Sequence, residues 1–296
     1  MTGPDILCIG SVLWDVIGRA GVTMSHGADM PGRITRLPGG VAMNIAMTLR
    51  RMGMRPALLT ALGTDPEGRD LLAAARALGL DTDHVHVAED LPTDRYMAVE
   101  GANGLIAAIA DARSLEAAGD RILAPLADGR LGSAAAPWAG PVALDGNLTG
   151  ALMAEIADSP LFAAADLRVA PASPGKADRL RPFLAHPRAT LYVNLEEAGL
   201  LLGGRPATAG DAAAALVARG LARALVTHGG DPAADATAEG VVTRPPPEVT
   251  VARVTGAGDT FMAAHIAAGR RTADRGAALD AALAAAAAYI SSEENP

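Results

Sequence analysis

Asp259 follows the run Thr255-Gly256-Ala257-Gly258 and precedes Thr260-Phe261-Met262-Ala263-Ala264-His265-Ile266, a stretch that reads as helix. A glycine turn that opens a helix leaves backbone N–H groups pointing outward at the positive end of the helix dipole, which suits an anion such as a phosphate. A carboxylate in that turn stands where it can take a proton from a group brought beside the anion. Taken alone, Asp259 reads more plainly as a helix N-cap. A second polar cluster lies near the other end of the chain, where Gly39-Gly40 precedes Asn44 and a helix-like run with Ile45, Leu49 and Met52 on one face. Two glycines let a small polar ligand approach the backbone, and the Asn44 amide both donates and accepts, which suits hydroxyl recognition. A structural turn with an asparagine cap is the competing reading. Asp15, after the apolar run ILCIGSVLW, is expected at the carboxyl end of the first strand, where open parallel sheets bind ligands. A carboxylate there can accept from two vicinal hydroxyls, although a lone aspartate is more often a turn residue.

Groups at opposite ends of a chain meet only if the fold brings them back together. ILCIGSV, ALLTAL, PVALD, LRVA, TLYVN and ALVTHGG read as buried strands. They alternate with helix-like segments at residues 43–52, 68–78, 151–157, 176–184, 196–202 and 211–219. This βαβ rhythm predicts an α/β fold with a doubly wound, mostly parallel sheet flanked by helices. Residues 14–38 and 93–110 break the rhythm; the second, RYMAVEGANGLIAAIA, reads as strand, turn at Ala102-Asn103-Gly104, strand. The two pieces are expected to meet as a small β-lid outside the main sheet, within one domain spanning residues 1–296.

Composition excludes several function classes. Half of the 296 residues are hydrophobic and only 3% aromatic, enough for a large aliphatic core. A formal charge of −8 without any Lys/Arg run argues against a nucleic-acid surface. Cys8 is the only cysteine, so no intrachain disulfide forms, and MTGPDILCIG lacks the blocks of a signal peptide, so the expected location is cytoplasmic. The apolar stretch at residues 281–290 is too short to span a bilayer. A nicotinamide dehydrogenase is disfavoured because Gly10 does not begin a Gly-x-Gly-x-x-Gly run, and His84 and His86 lack a partner at a metal-site interval.

Taken together, the two ends resemble a known family. Gly39-Gly40, Asn44, Ala46, Gly53 and Gly63 stand at the spacings of the N-terminal signature of the ribokinase-like (PfkB) carbohydrate and nucleoside kinases, and Thr255-Gly256-Ala257-Gly258-Asp259 resembles their C-terminal signature. Asn194-Leu195-Glu196-Glu197 is similar to the Asn-x-x-Glu motif of that family, and VTHGG, with Thr227 and Gly229, to its nucleotide-binding strand and turn. Within the family the stretches PGRITRLPGGVAMNIAMTLRRMG, PTDRYMAVEGANGLIAAIAD, LDGNL and APASPGKADRL most resemble the pseudouridine kinases.

The resemblance implies a ribokinase-like fold and ATP-dependent phosphorylation of a sugar or nucleoside hydroxyl, most specifically the 5′-hydroxyl of pseudouridine. Asp259 is then the base, and the amides of Gly256, Ala257 and Gly258 stabilise the transferring phosphoryl group. Asp15, Gly39, Gly40 and Asn44 hold the ribose, with Thr93 and Tyr96 beside the ligand. Asn194, Thr227, Gly229, Thr255, Gly256 and Gly258 serve the nucleotide, and Asn194 and Glu197 orient Mg2+ through water. Kinases for ribose, a hexose or another nucleoside need the same residues, and a non-catalytic sugar- or nucleoside-binding protein would keep the same fold. The exposed strand edges of the lid make a homodimer plausible. The chain departs from the family pattern at Met43, Ala170, Pro232, Arg253 and His265. Arg253 stands where relatives carry an acid that helps hold a monovalent cation, and a guanidinium there predicts activity nearly independent of potassium.

Overall fold

The computed structural model describes residues 3–253 and 255–292. The first apolar run forms β1 (Ile6–Ile9), buried throughout. Gly10 ends it at φ 149°, and a Cβ at this position would collide with the side chain of Asp145. The chain then leaves the sheet as an antiparallel pair, β2 (Leu13–Arg19) and β3 (Arg33–Gly39). α1 (Val41–Arg51) leads back to β4 (Pro56–Leu59), which pairs in parallel with β1. β5 (Ala61–Gly63), α2 (Pro66–Ala77) and β6 (His86–Ala88) follow, β5 and β6 forming a separate parallel pair. β7 (Arg95–Gly101) and β8 (Gly104–Asp111) are joined by a turn at Ala102 and Asn103.

Beyond the short helices α3 (Arg113–Ala118) and α4 (Ala124–Ala127) the expected alternation resumes. It runs through β9 (Pro141–Asp145), α5 (Gly150–Asp158), β10 (Asp166–Ala170), β11 (Ala189–Asn194), α6 (Leu195–Leu202), α7 (Ala209–Ala218) and β12 (Arg223–His228). The helix expected over 176–184 is a 3-10 helix, Pro174–Phe183; Pro182 inside it cannot donate a backbone hydrogen bond. Two strands had no counterpart in the sequence reading, β13 (Asp231–Thr237) and β14 (Gly240–Arg244). Alanines and a central, fully buried Asp235 replace the usual branched residues in β13. α8 (Ala257–Gly269) and α9 (Arg275–Ser291) complete the described chain.

The main sheet has eight strands in the order β14-β13-β12-β11-β10-β9-β1-β4. Strands from β12 to β4 are parallel, and β13 and β14 are antiparallel additions at one edge. Alternate residues of β1 point to opposite apolar layers: Leu7 and Ile9 join one, Ile6 and Cys8 the other, with α1 and α8 packed on the second. The chain passes from β1 to β4 on one side and later from β4 to β9 on the other, so the winding direction reverses between β1 and β9. A crevice opens at the carboxyl ends of strands at such a point. A second sheet, β3-β2-β7-β8, forms the expected lid. Asp15 pairs with Leu37 and Tyr96 in its register, so these share one lid face, while Val16, Arg36, Met97 and Ile109 share the other. The lid is anchored at its base by Trp14, whose indole N–H donates to the Glu67 carbonyl at 2.9 Å and whose ring lies 4.2 Å beneath the Arg36 guanidinium. Among the described residues no helix is long and apolar enough to cross a membrane.

Candidate active site

α8 begins at Ala257 behind Gly256, whose φ of 88° lies in the left-handed region. Asp259 therefore sits inside the first turn and not at the N-cap, and among the described residues no side chain caps this helix start. The other long helices are closed: Asp65, Thr149, Asn194, Thr208 and Asp274 cap α2, α5, α6, α7 and α9. For α1, the Ser11 hydroxyl accepts from the Val41 N–H at 2.9 Å. The start of α8 thus keeps the geometry of an anion cradle.

Asn44 lies one turn into α1, also not at a cap, and its Nδ2 donates to Asp259 Oδ2 at 2.9 Å. This bond joins the two polar clusters of the sequence. The Asp259 carboxyl is pushed up to about 7, chiefly by burial; the charges of Asp145, Asp15 and Glu197 add to the shift and the Asn44 N–H opposes it. A carboxyl with that affinity is suited to accept a proton near neutral pH.

The expected place of Asp15 needs correction. It is the third residue of the lid strand β2, not the carboxyl end of β1, because the kink at Gly10 ends β1 early and leaves Ser11 at the strand tip. Its carboxylate lies directly against Gly39, where a Cβ would collide with it. Gly40, at φ 95°, would bring a Cβ within 2.5 Å of the Ser11 carbonyl oxygen. The glycine pair thus admits the Asp15 carboxylate and the Ser11 backbone. Burial raises Asp15 to about 6. Tyr96 stands beside it, its phenol raised first by burial and then by the charge of Asp15. Thr93 differs from expectation: it is buried, its backbone N–H and hydroxyl donate to Asp65 at 2.8 and 2.6 Å, and the hydroxyl accepts from the Gly63 N–H at 3.1 Å. These bonds shape the turn into β7.

At the carboxyl ends of the neighbouring strands, Asn194 and Thr227 are register partners on β11 and β12, and Gly229 follows at φ 56°. Asn194 and Glu197 form a reciprocal capping box: the Asn194 N–H donates to Glu197 Oε2 at 2.8 Å, and the Glu197 N–H to Asn194 Oδ1 at 2.9 Å. Burial raises the Glu197 carboxyl.

Sequence reasoning missed a buried network behind the glycines. The Ser11 N–H and hydroxyl donate to Asp145 Oδ2 at 2.7 and 2.5 Å, across the point where the winding reverses. Asn147 Nδ2 donates to the Ser11 hydroxyl at 2.9 Å, and Lys176 donates to Asn147 Oδ1 at 2.5 Å. The available signal was the last position of PVALD, a carboxylate at a strand's carboxyl end. Two departures also find their setting. Met43 is fully buried in the core. His265 bonds the Tyr192 hydroxyl at 2.8 Å and faces Arg223 at 3.1 Å; burial, then the charges of Arg223 and Arg168, lower it to about 3, so it is neutral.

Against known proteins, the model of the pfkB family carbohydrate kinases matches residues 4–295. The chain belongs to that family. This kinase is 30% identical over 269 residues to the pseudouridine kinase of Escherichia coli K12, covering 87% of this chain and 81% of that protein. A carbohydrate kinase from Agrobacterium tumefaciens superposes with a TM-score of 0.79 at 26% identity, over 97% of this chain and 91% of the other. A ribokinase from Thermotoga maritima superposes with a TM-score of 0.79 at 19% identity, over 99% and 94%, and shares the fold. The eight-stranded sheet and the lid of this kinase are therefore the ribokinase-like architecture.

Proposed function

We propose that this kinase transfers the terminal phosphoryl group of ATP to the 5′-hydroxyl of pseudouridine. The observation that carries the transfer chemistry is the Asn44–Asp259 bond, which brings the hydroxyl-recognising cluster to the uncapped start of α8. The choice of nucleoside is supported by the likeness to the E. coli pseudouridine kinase. Asp15 and Asn44 hold the ribose hydroxyls, with Gly39 and Gly40 beneath and Tyr96 alongside. Asp259 takes the proton of the attacking hydroxyl, and the amides of Gly256, Ala257 and Gly258 receive the charge that grows on the phosphoryl oxygens without having to reorganise. Asn194, Thr227, Gly229 and Thr255 line the nucleotide side.

Magnesium bound with the nucleotide would offset phosphate charge. Among the described residues no group of three His, Cys, Asp or Glu could hold a metal, and Asn194 and Glu197 already bond each other's backbone. These two fit an ion that keeps its water shell and takes its direct ligands from phosphates, as magnesium does. The lid, closing with Asp15 and Tyr96 on its inner face, excludes water from the transfer. Its outer face exposes Ile34, Met97 and Ile109, which supports a homodimer packed lid to lid. ATP consumption measured across pseudouridine, uridine, adenosine, ribose and hexoses tests the reading. Pseudouridine is expected to give the highest kcat/KM; preference for a free sugar would replace the substrate, and no turnover with any acceptor would leave a binding protein.

A further inference from the structure

The loop ahead of α8 is held by the far end of the chain. Arg253 Nε donates to the Tyr289 carbonyl at 2.9 Å and Nη2 to the Ser292 hydroxyl at 2.8 Å, while the guanidinium carbon lies 3.8 Å from the centre of the Tyr289 ring. The N–H groups of Ala252 and Arg253 both reach the Ile290 carbonyl, at 2.8 and 3.1 Å. These acceptors belong to the C-terminal end of α9, where the helix dipole is negative and a cation is favoured. A planar guanidinium satisfies such oxygens with a pre-organised fork of N–H groups while its flat face stacks on the aromatic ring, a geometry that an ammonium matches only in part.

From the same ring, the Tyr289 hydroxyl donates to the Thr255 carbonyl at 3.1 Å and occupies the space that a Cβ on Gly256 would need. Arg253 fixes Tyr289, and Tyr289 fixes the residue that opens the cradle. The described residues do not fit a monovalent cation at this place. The Tyr289 carbonyl and Ser292 hydroxyl oxygens already accept from a fixed positive charge, and no acid stands at position 253.

We propose that Arg253 and Tyr289 form an internal clamp that positions the Gly256 and Ala257 amides for phosphate, so that nucleotide binding needs no exchangeable monovalent cation. The clamp rests on the kinase reading above, and both residues act as positioning residues.

The test measures affinity for a non-hydrolysable ATP analogue with magnesium by titration calorimetry, in potassium and in tetramethylammonium chloride at matched ionic strength. Melting temperature and steady-state turnover are followed in the same buffers. The wild-type chain is expected to bind equally within about twofold in both salts and to show no saturable rise in melting temperature with potassium. Tyr289→Phe, which keeps the ring and removes only the hydroxyl, is expected to weaken the analogue about three- to tenfold while leaving the KM for nucleoside unchanged. Arg253→Gln should do the same or more, with Arg253→Lys recovering part of the loss. Saturable potassium enhancement of wild-type affinity or melting temperature overturns the clamp, as does a Tyr289→Phe chain with wild-type affinity and turnover. Salt-independent nucleotide binding that responds to Tyr289→Phe, without turnover on any acceptor, keeps the clamp and sinks the proposed function. Absence of nucleotide binding in every buffer overturns both.

Discussion

Asn44→Leu removes the one side-chain donor that the Asp259 carboxylate receives from α1, at 2.9 Å, while approximately keeping side-chain volume. That N–H stabilises the ionised carboxylate and opposes the burial that raises it to about 7. A hydrogen bond to a charged group is worth about 1.5–3 kcal/mol. Where it favours one protonation state, each 1.4 kcal/mol or so moves a pKa by about one unit. The carboxyl of the variant should therefore titrate about one to two units higher, near 8–9. The sign follows from the role: the base works ionised, so activity is present above its pKa and is lost as pH falls through it. At pH 7 the ionised share drops from about half to between roughly one in ten and one in a hundred, which lowers kcat/KM by about five- to fiftyfold on top of a pH-independent loss of the Asn44 contact to the ribose. The assay is the pH profile of kcat/KM between about pH 5.5 and 10, which reports groups on the free enzyme. The wild-type acidic limb is expected near 7, and that of Asn44→Leu displaced upward, with much of the lost activity recovered at high pH. A loss of the same size at every pH would refute the reasoning and make Asn44 a substrate contact without influence on Asp259.

Asp259→Asn should lower kcat by about two to four orders of magnitude while leaving analogue and nucleoside affinities within a few-fold, since it removes the base but not the cradle; near-normal turnover of the purified variant would remove Asp259 from that role. Asp15→Ala and Gly39→Ala should act alike, the first by deleting the carboxylate and the second because its new Cβ occupies the carboxylate's place; each is expected to weaken nucleoside binding about tenfold or more and ATP little, read by titration with each ligand in turn. Met97→Lys, on the exposed outer face of the lid, should convert a dimer to a monomer in sedimentation experiments without unfolding it, and an unchanged sedimentation coefficient would discard the lid-to-lid assembly.

The sequence by itself determined the rhythm of the main sheet. Short apolar runs such as ILCI and ATLYV are buried on both sides, and a two-faced buried strand leaves a continuous hydrophobic signature that needs no tertiary information. The turn that opens α8 was legible too, because Gly256 adopts a positive φ that favours glycine, whereas the place of Asp259 inside the first turn and not at the cap was not. β13 was not legible: its alanines and buried Asp235 lack a strand signature, and Asp235 is tolerated only because Arg223 and Arg275 reach it from other elements. Neither was the side on which Asp15 lies, which depends on where the Gly10 kink ends β1. The bond from Thr93 to Asp65 was not legible either. The Asn44–Asp259 bond, the Ser11–Asp145 contact and the hold of Tyr289 on Thr255 all join residues far apart in sequence. Periodicity and propensity report only local burial and backbone preference, whereas a hydrogen bond needs two groups within about 3 Å of each other. The parallel pairing of β1 with β9 brings Ser11 to Asp145, and the packing of α1, α8 and α9 on one face of the sheet brings the other two pairs within that distance.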